Sequence, residues 1–326
     1  DAAIIIPIAT LDDEYRVFSS PNNSQYRDGS QFSIVSIATG TVVEITPTAP
    51  ILLGTPRPAG VPFTITLNAG QVYFAQSNGD LTGSKIRVIG SGGGSCGKVA
   101  VFSGTMRTNM PNNSSSSGFD HLYEQMMPIS SWGKNFILPF LATANRMLVR
   151  IIPANTSIPT TITSSAAPGT FTIAANANFL ELPNITAALS LSASQPVSVA
   201  IYSMSSTFGY TAGVGDPFLM LIPPIEQRID RITFNAFVPN GQSGWAQNLY
   251  TGIVAPTSQF ATTQLDGTNL ATRVPVNSAN FTVDGVNYTV ATFRVTPGNH
   301  TLVSPPGGSF TATIYGLAQV DSYGMI

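Results

Sequence analysis

Three stretches of this chain end on the same pattern: Lys98-Val99-Ala100-Val101-Phe102-Ser103-Gly104, Val197-Ser198-Val199-Ala200-Ile201-Tyr202-Ser203 and Phe310-Thr311-Ala312-Thr313-Ile314-Tyr315-Gly316. Each runs through β-branched and small residues to an aromatic and then a small residue, which is the chemistry of a strand. A strand that returns at about a hundred residues, the size of one antiparallel sandwich, constrains the fold more than any composition figure. The expected architecture is all-β: three tandem, closely packed antiparallel β-sandwich-like units from an internal triplication, with almost no helix.

The flanking sequence follows the same order. After the first ending, Asp120 is followed eight residues on by Pro128-Ile129, and after the second, Asp216 is followed eight residues on by Pro224-Ile225. The third ending runs into Asp321-Ser322-Tyr323-Gly324, so a further opening is expected beyond the last residue. Each unit is expected to begin with an opening strand (16–18, 135–140, 231–237) and to carry a middle hairpin at Phe63-Thr64-Ile65, Phe171-Thr172-Ile173 or Phe281-Thr282-Val283. The boundaries read as 1–130, 131–227 and 228–326, packed as one compact module.

Runs of β-branched and aromatic residues at 32–37, 41–46, 63–67, 72–75, 85–89, 98–103, 148–152 and 197–203 read as strands. The breakers between such runs, Asn78-Gly79-Asp80, Asn240-Gly241, Asp266-Gly267, Asp284-Gly285 and Pro306-Gly307-Gly308, supply the positive-φ positions of hairpin turns. A weak helical stripe over 121–127 stops at Pro128.

Only 9% of the residues are charged, against roughly 25% in average soluble proteins, so the surface is expected to be neutral and polar. A net charge of −2 with 14 scattered Lys and Arg residues offers no basic stripe, and nucleic acid is not an expected partner. No apolar run is long enough to span a bilayer, the opening Ala2-Ala3-Ile4-Ile5-Ile6 being cut by Pro7, so no membrane insertion is expected. The Thr- and Asn-rich, Lys-poor composition points to a secreted or cell-surface protein whose leader has been removed near Asp1. The single cysteine, Cys96, has no partner for an internal disulfide and reads as a small side chain after a glycine loop.

Catalytic chemistry finds little support. The two histidines, His121 and His300, stand beside no nucleophile elbow. Asp120, His121 and Glu124 lack the further ligands that a zinc site needs. Asp12-Asp13-Glu14 is compatible with a calcium contact but reads better as a solvated turn. The glycine run at 90–94 has no following Lys-Ser or Lys-Thr in the phosphate-loop frame. Trp132 and Trp245 read as core-sealing aromatics rather than sugar platforms. No enzyme activity, cofactor or metal is therefore expected.

The segments Val99-Ala-Val-Phe-Ser-Gly104, Asp120-His121-Leu122-Tyr123-Glu124-Gln125-Met126-Met127-Pro128 and Ser130-Ser131-Trp132-Gly133-Lys134-Asn135-Phe136 resemble the signature of the IgG Fc-binding protein N-terminal domain family. So does Asp216-Pro217-Phe218-Leu219-Met220-Leu221-Ile222-Pro223. The resemblance implies a secreted β-rich domain at the head of mucin-associated proteins in animals or of cell-surface adhesion proteins in bacteria, without known catalysis. Animal members carry cysteines near the Asp-His block, where this chain has Asn112-Asn113-Ser114-Ser115-Ser116-Ser117; that favours a bacterial or divergent member. Gly215-Asp216-Pro217-Phe218 is similar to the Gly-Asp-Pro-His self-cleavage motif of neighbouring mucin domains, but Phe218 replaces the histidine.

On this reading the chain is a non-enzymatic extracellular adhesion or binding module for a glycoprotein or glycan. The alternative is a structural subunit of a filament, sheath or mucus-like matrix formed by self-association, which a weakly charged surface favours. Asp120, Glu124, Gln125, Pro128, Trp132, Asp216, Pro224 and Gln227 are expected to lock turns and crossovers, with Asp120 and Asp216 accepting backbone N–H groups. In a eukaryotic source, Asn22, Asn113, Asn155, Asn184, Asn287 and Asn299 are candidate glycosylation sites.

Overall fold

The computed structural model describes residues 2–21, 29–91, 97–112, 118–167, 169–210, 214–238, 244–245, 248–319 and 321–326. Asn22, Cys96, the glycine run after Ser91, Asn113 and the Asn240-Gly241 turn lie outside the described residues.

The chain is all-β. Its first strands are β1 (Glu14–Arg16), β2 (Ser30–Ser36), β3 (Thr41–Thr46), β4 (Phe63–Leu67), β5 (Val72–Ser77), β6 (Lys85–Gly90), β7 (Val99–Thr108) and β8 (Asp120–Gln125). They form two four-stranded antiparallel sheets, ordered β1-β6-β3-β4 and β5-β2-β7-β8. Period-two alternation decides which side chains meet between them: Phe32 and Ile34 face inward from β2 against Val43, Ile45 and Val101. The weak stripe at 121–127 is strand here, not helix: β8 pairs with β7, and cross-strand hydrogen bonding overrides a marginal helical pattern.

The next strands are β9 (Gly133–Leu138), β10 (Met147–Pro153), β11 (Thr160–Ser164), β12 (Thr170–Ile173), β13 (Leu180–Ile185), β14 (Leu189–Tyr202) and β15 (Leu219–Ile222). Two separate sheets were expected here, but all seven join one sheet. The cause is β14, which is 14 residues long. Its first part pairs with β9 and β11, its last part with β10 and β15, and a register shift between Ser192 and Val197 lets it serve both.

The last strands are β16 (Arg231–Ala236), β17 (Leu249–Pro256), β18 (Gln264–Leu265), β19 (Thr268–Asn269), β20 (Asn277–Val283), β21 (Val286–Val295), β22 (Gly298–Val303), β23 (Thr311–Ala318) and β24 (Asp321–Met325). They form a four-stranded sheet, β16-β22-β18-β19, and a five-stranded one, β20-β21-β17-β23-β24. The hairpin turns follow the dipeptides: Asp266 and Gly267 have φ of 55° and 74°, and Asp284 and Gly285 have 49° and 76°. Both pairs occupy the left-handed region that a two-residue hairpin requires. The described α-helices are two four-residue turns, Ser206–Gly209 and Thr257–Phe260.

The three closing stretches lie in β7, in the end of β14 and in β23, and each pairs antiparallel with the strand that follows it, β8, β15 or β24. Near its start each is bridged to the fifth residue after a proline: Asp12–Val99 after Pro7, Gly133–Val197 after Pro128, and Ile229–Phe310 after Pro224. Each proline, extended with φ between −58° and −67°, opens a three-residue 3-10 turn: Ile8–Thr10, Ile129–Ser131 and Ile225–Gln227. Proline suits that position because its φ is preset and its missing N–H would have no partner there. The cores are continuous across the sheet groups: Leu148, Ile152 and Tyr202 join the first cluster, while Tyr250, Tyr315 and Leu317 join the second.

Candidate functional site

The expected crossover residues lie where the sheet groups meet. Pro128 is buried at the head of its turn, and Trp132 is half-buried against the first core cluster, donating Nε1–H to the Met127 carbonyl at 3.1 Å. Pro224 seats the next turn against β9 so tightly that a Cβ on Gly133 would lie 2.3 Å from the proline's Cβ. Glu226 clamps that seat: its Oε1 accepts the N–H groups of Lys134 and Asn135, each at 3.1 Å. Gln227 donates Nε2–H to the Ser131 carbonyl and ties one turn to the other.

The two repeated aspartates behave differently from each other. Asp120, the first residue of β8, accepts the His121 N–H at 2.7 Å and faces the His121 ring at 2.9 Å. Asp216 is 1% exposed, and its Oδ1 is buried without a hydrogen-bond partner, so it does not cap backbone N–H groups through that oxygen. Burial, then the charges of Asp120 and Asp321, push the Asp216 carboxyl up to about 7. Asp321, the residue that follows the third ending, is raised by burial and by Asp120. Three acidic groups, one after each closing strand, thus meet around one centre, with His121 offsetting part of the rise at Asp321.

Glu124 and Gln125 lie at the other end of β8. Burial raises the Glu124 carboxyl well above the usual carboxylate range, and its Oε1 has no hydrogen-bond partner. Gln125 accepts the Ile6 N–H at 2.8 Å and so tethers the first residues of the chain. Both border an apolar cleft of about 580 Å³ between that segment, β16 and β23.

Neutral polar pairs line the exposed faces of two strand pairs. On β16 and β22 the Thr233 and Thr301 hydroxyls meet at 3.3 Å, and Asn235 donates to Asn299 Oδ1 at 2.8 Å. On β20 and β21 Thr289 donates to Asn280 at 2.8 Å and Thr282 to Asn287 at 2.7 Å. Antiparallel register sets these ladders, because residues directly opposite share a face. Of the candidate glycosylation asparagines, Asn155, Asn184, Asn287 and Asn299 are exposed.

His300 is buried between Asp266, 2.7 Å from its Nδ1, and the Thr296 carbonyl, 2.6 Å from its Nε2, with no nucleophile in that set. Asp12 accepts from Ser130 and Glu14 pairs with Lys85, so the acidic opening is engaged in local contacts. Among the described residues no group of three or more His, Cys, Asp or Glu is placed to hold a metal ion. Trp245 is 2% exposed and stacks on Tyr323, inside the third core cluster.

One residue escaped sequence reasoning. Arg150, inside the apolar run Leu148-Val149-Arg150-Ile151-Ile152, is 5% exposed and binds Asp80 and Glu181, each at 2.8 Å, and the Ser19 carbonyl at 2.7 Å. Its guanidinium lies over Phe179 and Tyr202. A lone arginine in an apolar strand was the available signal, since such a charge is buried only when paired.

No solved structure matches the chain. A human protein described as IgGFc-binding protein is 27% identical over 228 residues, covering 69% of this chain and 4% of that protein, so the chain spans a small fraction of the relative's length. The family model described as IgGFc binding protein matches residues 1–316. With the match running through all three closing strands and both proline crossovers, the chain belongs to the IgGFc-binding protein family.

Proposed function

We propose that this chain is a non-enzymatic extracellular module that recognises a glycoprotein or glycan. The observation that carries the proposal is the set of exposed, neutral Thr and Asn ladders on β16–β22 and β20–β21. Hydroxyl and amide groups already held by cross-strand hydrogen bonds lose little freedom on binding, and they match the donor–acceptor pairs of a sugar ring. A relative named for IgG Fc, itself a glycoprotein fragment, supports a partner of that kind. The test is a glycan and glycoprotein array, Fc included, read with the parent chain and a Thr233→Ala/Asn235→Ala double variant. Binding that drops in the variant supports the proposal; uniform silence, or binding indifferent to the substitutions, rejects it.

Self-association into a filament or matrix is the second reading. It is favoured by Val72 and Phe74, 57% and 38% exposed on β5, which is an edge strand of its sheet. An apolar edge strand is a template for pairing with another chain, although at Gln76 the carbonyl already accepts the Leu52 N–H at 2.9 Å. Light scattering at rising concentration decides it: growth that stops on Phe74→Lys supports assembly through this edge, and a persistent monomer excludes it.

A further inference from the structure

Two of the three junctions show what a filled seat contains. The Ile129–Ser131 turn packs against β1, with Ser130 donating to Asp12 at 2.5 Å. The Ile225–Gln227 turn packs against β9 and leaves a residual cavity of about 20 Å³, bordered by Phe136, Val197 and Pro224. In both, the occupant reads apolar–Pro–Ile followed by two polar or small residues: Met127-Pro128-Ile129-Ser130-Ser131 and Pro223-Pro224-Ile225-Glu226-Gln227.

The corresponding wall of the third junction is the opening of β16. Ile232 stands eight residues past Pro224, as Phe136 stands eight past Pro128, and Ile229 is bridged to Phe310 as Gly133 is to Val197. Here the seat is a cleft of about 580 Å³. The chain's own Pro7 turn borders the cleft without filling it: Ile8 is 63% exposed, whereas Ile225 is 5% exposed. Ile229, at 42% exposure, offers the cleft an apolar side chain where Gly133 allowed a backbone approach, so an occupant would sit slightly farther out than Pro224 does.

We infer that the cleft between β16, β23 and residues 4–10 is a docking site for a partner peptide of the form apolar–Pro–Ile–polar–polar, bound as a 3-10 turn. The chemistry is that of the two filled seats: proline preset for the turn, isoleucine for the apolar wall, and polar residues toward solvent. The inference does not depend on glycan recognition, which uses the outward ladders.

The experiment is fluorescence anisotropy with a labelled peptide copying residues 221–228 (Leu-Ile-Pro-Pro-Ile-Glu-Gln-Arg), against the whole chain. Saturable binding is expected, weakened about tenfold or more by Ile229→Arg, which puts a charge on a half-exposed wall residue. Ile4→Asp on the facing wall is the second variant, and thermal melts establish that each folds. Equal binding of a scrambled peptide, or binding unchanged in both folded variants, overturns the proposal. So does a cleft-dependent dimer that excess peptide does not dissociate, which assigns the seat to a second copy, or a fatty acid that occupies the cleft while the peptide does not bind.

Discussion

The two inner junctions are held by opposite chemistries. Between the first sheets and the seven-stranded sheet, Arg150 joins Asp80, Glu181 and the Ser19 carbonyl, with Tyr202 donating its hydroxyl to the same carbonyl at 2.7 Å. Between the seven-stranded sheet and the last sheets, Tyr315 stacks on Tyr250 at 5.2 Å and packs on Phe218, and Ala142 N–H donates to the Tyr315 hydroxyl at 2.6 Å. The first arrangement demands one orientation, because a buried guanidinium tolerates no lost partner; the second gains from area and tolerates small shifts. A module assembled from sheet groups therefore places its least forgiving contact at one boundary only.

Arg150→Ala breaks that comparison most strongly. It strips the partner from two carboxylates and opens a void beneath Phe179, and a loss of about 3–5 kcal/mol in a urea titration is expected. Gly133→Ala tests close approach rather than charge: the new Cβ collides with Pro224, and overpacking of this kind costs about 1–3 kcal/mol. Tyr315→Phe keeps the stack and removes the hydroxyl that accepts from Ala142 N–H and meets the Thr292 side chain, with an expected cost of about 1–2 kcal/mol by the same titration. A loss as large as that of Arg150→Ala would show that the aromatic junction is equally orientation-dependent.

The acidic centre belongs to neither class and is read out by pH. Asp216 holds its proton up to about 7 in the fold, against 3.8 in its ordinary state. The folded protein therefore binds more protons than the unfolded chain between those values, and stability falls as pH rises through that window, by at most about 1.4 kcal/mol per pH unit, then levels off. Asp216→Asn should flatten the profile of melting temperature from pH 4 to pH 8 and raise its alkaline end; an unchanged slope would assign the effect to Glu124 or Asp321. The smallest effect is expected at the surface, where Thr233→Ala changes stability by less than about 0.5 kcal/mol, so that any change in array binding reflects recognition.

Much of the strand layout was legible because period two and turn dipeptides are local signals. The runs at 41–46 and 63–67 are β3 and β4, and Asp266-Gly267 and Asp284-Gly285 are hairpin turns with the expected dihedrals. The positions of Pro128 and Pro224 were legible for the same reason, since proline states its own φ. Arg150 was hidden inside a run that patterning reads only as a strand, and its partners Asp80 and Glu181 lie 70 and 31 residues away. The merging of seven strands through β14, the different fates of Asp120 and Asp216, and the open cleft beside a sealed equivalent were decided only in the tertiary structure. Each depends on distant segments brought within a few ångströms, where burial and charge act on whatever the local pattern has placed there.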